Sequence, residues 1–97
     1  MGAEYDTSEI RRVAKRIGAV SDQVAAVSKD ALERISAEIP HTMKGETAEA
    51  LNERVTLASD DIRRIAGRLA GIRDLLIKFA RLLDEADEKA KGEIQTR

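Results

Sequence analysis

Residues 51–90 read LNERVTLASDDIRRIAGRLAGIRDLLIKFARLLDEADEKA. Apolar side chains fall in them on one unbroken alternation of four-residue and three-residue steps: Leu51, Val55, Ala58, Ile62, Ile65, Leu69, Ile72, Leu76, Phe79, Leu83, Ala86 and Ala90. Since 42% of the chain is apolar, twelve successive hits in one fixed register would arise by chance roughly 3 times in 100,000, which settles the period as helical. A heptad seam of this length is a surface made to lie against another helix.

Ile10, Val13, Ile17, Val20, Val24, Val27 and Ala31 keep the same rhythm in the first half. Arg34 then takes the next seam position and the stripe moves to Ile35 and Ile39, a slip that relaxes the supercoil locally as an inserted stutter does. Between the halves lies Pro40-His41-Thr42-Met43-Lys44-Gly45. Pro40 disfavours helix at Ile39 and Gly45 tolerates positive φ, so the chain is expected to reverse there. A short connection between long helices makes them antiparallel. The expected architecture is one all-α domain over residues 1–97: helix 1 from about 7 to 39, a turn at 40–46, helix 2 from about 47 to 91 and a frayed tail at 92–97. Asp6 or Thr7 is the expected cap of helix 1, with Glu9 as its capping-box partner, and Thr47 that of helix 2.

A lone hairpin has a small core, and both halves carry more apolar surface than one seam consumes. Leu75 and Leu82 stand beside the seam of helix 2, with Ala66 and Ala80 on its other side; in helix 1 Ala14, Ser21, Ser28 and Ile35 form a row of mostly small side chains. The expectation is a second hairpin packed against these flanks through Ala14, Leu75 and Leu82, which gives a homodimeric four-helix bundle or a pairing with a related chain.

Seventeen basic and 18 acidic residues leave a net charge of -1. That lacks the basic excess of a nucleic-acid surface. No run approaches the roughly 20 apolar residues of a membrane span. The stretch Met1–Asp6 has neither the basic start nor the apolar core of a cleaved signal peptide. Cysteine is absent and His41 is the single histidine, so no thiol chemistry, zinc-thiolate site or cofactor is expected. His41 is the only possible histidine base for the serines, no glycine-rich nucleophile elbow precedes any of them, and Asp60 and Asp61, being adjacent, diverge on a helix. A non-enzymatic role follows.

The turn Met43-Lys44-Gly45-Glu46-Thr47-Ala48, midway between two amphipathic helices, resembles the Trp-x-Gly turn of the WXG family, the early-secreted-antigen-like proteins of type VII secretion systems. Met43 stands where that family has tryptophan. The resemblance implies a helical-hairpin dimer, cytoplasmic at first and then exported without a cleaved signal, as a substrate or as a partner of a secretion ATPase or a larger toxin. Secreted members also carry an aromatic residue followed four positions later by an acid near the end of helix 2. Here Phe79 is followed by Leu83, with Asp84 five residues on and Asp87 eight on, so Phe79, Asp84 and Asp87 are the implied recognition residues with altered spacing. The alternative is an adaptor or assembly module working inside the cell.

Overall fold

The computed structural model describes the backbone of residues 6–95 and the side chains of residues 6–92. Helix α1 spans Thr7–Ala26. It continues without a break through a π-helical turn, Val27–Leu32, into α2, Glu33–Thr42. These three make one arm of a hairpin. The other is a single helix, α3, Glu46–Gln95. The described residues contain no strand. The molecule measures 79 × 16 × 15 Å, a rod two helices wide, as a bare antiparallel pair requires.

Asp6 caps α1, its carboxylate accepting from the Ser8 and Glu9 amides. Those bonds, and the Ser8 hydroxyl above all, hold the Asp6 carboxyl below its ordinary pKa. Glu9 takes Arg12 in an ion pair of 2.6 Å. At the slip in the apolar stripe the chain inserts one residue as a π turn: the Glu33 amide donates to the Ser28 carbonyl, five residues back. A wider turn rotates everything after it. Ile35 thereby joins Ile39 and Leu51 around a shallow hollow that Arg34 also lines. The slip stands where the sequence places it, absorbed by a π turn and not by a change of supercoil.

Three boundaries differ from expectation. The first arm runs past Pro40 to Thr42. Proline's φ is already helical, and its missing amide costs one bond near a helix end; Ile39, expected as the last helical residue, lies inside the helix and is buried against the start of α3. The reversal is therefore only Met43-Lys44-Gly45. Met43 is extended and its amide donates to the Ile39 carbonyl at 2.9 Å. Gly45 adopts φ 79, a conformation that a side chain would strain. Glu46, one residue before the expected cap Thr47, opens α3. At the other end α3 passes through Gly92 to Gln95, so Gly92 does not stop it; nothing in that backbone forces a positive φ there. Residues 96–97 of the expected tail lie outside the described residues, as do Met1–Tyr5.

The arms touch through their smallest side chains. Ala14, Gly18, Ser21 and Ser28 are buried on α1 and the π turn, and Ser59, Ala66 and Ala80 on α3. Ala14 and Ala80 are 0% exposed. Small residues at heptad positions on both helices, seven apart on α1 and seven then fourteen apart on α3, let the two backbones approach closely. The serines then bond across the gap: Ser21 Oγ donates to the Ala66 carbonyl at 2.7 Å, and Ser28 and Ser59 share a hydrogen bond between their hydroxyls. Further along, Ser36 donates to Asn52 Oδ1. These contacts fix the register, with Thr7 opposite Asp84 at the open end.

Candidate functional site

A hairpin closed by small residues carries its large ones elsewhere. Along α3 the seam divides into two rows. Val55, Ile62, Leu69, Leu76 and Leu83 lean over the edge of the contact and are half-buried. Ala58, Ile65, Ile72 and Phe79 stand farther round and are exposed, Ile65 at 49% and Ile72 at 46%. The same division occurs on α1, where Ile10, Ile17 and Val24 are half-buried and Val13 and Val20 exposed. Because antiparallel helices related by a pseudo-twofold between them present corresponding flanks on one side, both sets of rows face the same way. The result is a continuous apolar face running along the hairpin.

Its opposite face is polar. Arg11 Nη2 reaches Asp84 Oδ2 at 2.6 Å and Arg63 Nη2 reaches Glu33 Oε1 at 2.8 Å, so ion pairs bridge the arms on that side. The Thr7 hydroxyl also donates to Asp84 Oδ1, at 2.8 Å. The Arg11 guanidinium, followed by Thr7, holds the Asp84 carboxyl below its ordinary pKa.

The rows that the sequence distinguishes are thus present, but the row of small residues and the outer half of the seam change places. Ala14, expected to face a second hairpin, is sealed inside its own. Ile65 and Ile72, members of the seam expected to lie against another helix, stand outside the hairpin's own contact, since a close small-residue approach leaves no room for them. Leu75 at 67% and Leu82 at 48% are exposed one row beyond the seam, at the margin of the apolar face. The seven-residue spacing of Ala14, Ser21 and Ser28, set against Ser59, Ala66 and, fourteen residues on, Ala80, with Arg73 between them facing Gly18, is the signal that points to the true contact.

The three recognition candidates come to different surroundings. Phe79 lies on the apolar face, 48% exposed. Asp84 bonds to Thr7 and Arg11 and secures the start of α1; sequence reasoning missed both partners, because only the register brings residues so distant together. Asp87 pairs with Lys91 at 3.3 Å on its own helix. Since α3 continues to Gln95, the Asp84–Glu88 acids stand clear of its last turn, and the helix dipole that falls off within that turn does not act against them. At the other pole Met43, Lys44 and Gly45 form the turn and are all exposed; with Ile39, Ala48 and Asn52 they line a shallow open hollow.

His41 is exposed in the last turn of α2. Among the described residues no group of three histidine, aspartate or glutamate side chains could hold a metal ion, and no helix is long and apolar enough to cross a membrane. No protein-family model, curated protein or solved structure matches the chain.

Proposed function

We propose that this chain is a non-catalytic helix-pairing protein whose apolar face is covered by another helical hairpin, in the manner of the small WXG-like partners of type VII secretion. The observation that carries the reading is the continuous face of valine, isoleucine and leucine left open by a hairpin already closed on its other side. Large contiguous apolar surfaces mark interaction sites, because water against them costs free energy. The glycine turn at Met43-Lys44-Gly45 supports the likeness. In this reading the pair is exported folded, after residence in the cytoplasm, and presents the turn of one hairpin and the α3 end of the other to a secretion ATPase or a larger toxin.

A second reading, an adaptor confined to the cell, is favoured by one feature. Asp84, the first acid after Phe79 in sequence, is engaged by Arg11 and Thr7, which leaves an export signal of ring plus acid weakly presented. A secretion assay separates the two. In a strain with an active type VII system, tagged protein is expected in the culture filtrate, and not in the filtrate of the same strain lacking the secretion ATPase. Retention in the cells of both strains would favour the adaptor.

A further inference from the structure

We infer that the occupant of the apolar face is a second copy of this chain, crossing near Ile65 with its turn at the opposite end of the bundle, in a register chosen by Asp61 and Arg68. This rests on the helix-pairing reading and names the partner. The α3 seam is nearly the same read in either direction from Ile65: Ile62 corresponds to Leu69, Ala58 to Ile72 and Leu51 to Phe79. An antiparallel twofold laid there sets apolar side chains against apolar ones over the whole stretch. That alone does not fix a register, since a heptad seam matches itself at every seven-residue slip.

Charge decides between the slips. Asp61 lies four residues before Ile65 and Arg68 three after it, both exposed on the outer side of the seam. With the twofold near Ile65, Asp61 of each copy comes beside Arg68 of the other, giving two opposite-charge contacts. Slipping by one heptad in one direction brings Arg68 against Arg68 across the axis; in the other it brings Asp61 against Asp61. Like charges so placed are repulsive, so one register is selected and both neighbours are penalised. The surface is open at this point: Asp61, Arg64, Ile65 and Arg68 line a shallow groove, and Asp61 meets Arg64 only at 3.4 Å on its own helix. The alternative bundle, with both turns at one end, lays α3 over α1 of the other copy. There the Asp61 and Arg68 of the two copies do not meet, and the opposite-charge contacts are lost.

The size is adequate. Residues 51–79 of α3 span about 42 Å at 1.5 Å per residue, and two helices side by side are roughly 18 Å wide. The face therefore offers about 750 Å² per copy, near the roughly 800 Å² per partner of a standard stable interface.

The full chain tests this by sedimentation equilibrium together with thiol bridging, which the absence of native cysteine makes clean. Wild type is expected to be a dimer. Asp61→Arg and Arg68→Asp should each weaken it by about tenfold, and the two together should restore it to within about threefold. Ile65→Cys should be bridged to itself by a short bismaleimide. Lys44→Cys should not, because the two turns lie about 60 Å apart. A monomeric wild type would overturn the second-copy assignment, and so would bridging through Lys44→Cys or a double swap no better than either single change. Export of a monomeric protein would still support the proposed function, while a dimer retained in the cells would support this interface alone.

Discussion

The two long surfaces of this hairpin are built on opposite principles. Between the arms lie Ala14, Gly18, Ser21, Ser28, Ser59, Ala66 and Ala80, buried and small; around the corner lie Val13, Val20, Ile65 and Ile72, large and nearly half-exposed. Apolar burial stabilises in proportion to area, about 25 cal/mol per Å². The inner contact consequently contributes geometry more than hydrophobic energy: it sets the spacing and register of two helices. Most of the available hydrophobic stabilisation waits on the outer face. In the proposed reading, a protein arranged this way completes its fold by association.

The inner contact breaks most easily by enlargement. Ala66→Leu should drive the helices apart and cost about 3 kcal/mol, measured by urea unfolding, because a close approach has no room for an isobutyl group. A variant of unchanged stability would mean that the arms are not held at that row. The outer face breaks by truncation. Ile72→Ala should cost about 2 kcal/mol in the assembled protein, while Leu75→Ala, at the margin, should stay within about 0.5 kcal/mol. Equal losses at the two positions would put the boundary of the face elsewhere.

Much of this was legible in the sequence, and the missing part has a definite cause. Heptad spacing announces two helices, Gly45 announces the reversal and Asp6 announces the first cap. The stripe's shift from Arg34 to Ile35 locates the π turn to within a few residues. Periodicity shows that a row is apolar; it does not show what covers the row. Large side chains dominate any hydrophobic pattern, so the seam of isoleucines and leucines reads as the hairpin contact, although alanine and serine make it. Pro40 misleads for a related reason, since a local preference gave way to the burial of Ile39. Asp84 was legible only as an acid near a helix end. Its attachment to Arg11 follows from the antiparallel register alone.

Smaller effects sharpen the comparison further. Ser28→Ala leaves the Ser59 hydroxyl buried beside a methyl group and should cost about 1 kcal/mol, while the double change to alanine should cost less than the sum of the single ones. Additive losses would show that the two hydroxyls do not depend on each other. On the polar face the Asp84 carboxyl has its folded pKa depressed below the ordinary 3.8 by Arg11 and Thr7. Its stabilisation is therefore complete above that value and is lost as pH falls through the lower folded pKa. Arg11 is exposed and Thr7 and Asp84 are only half-buried, so the effect is modest and screened by salt. Amide exchange in the first turn of α1 should accelerate on acidification below pH 3.8 relative to an Asp84→Ala variant; parallel profiles would detach Asp84 from that helix end.

The most direct test of a fold completed by association is thermal unfolding, followed by circular dichroism over a hundredfold range of protein concentration. If the outer face is covered in the native state by a second copy, unfolding releases two chains, and the midpoint should rise by about 3 °C for each tenfold increase in concentration. A midpoint independent of concentration, with the mass of a monomer throughout, would contradict it.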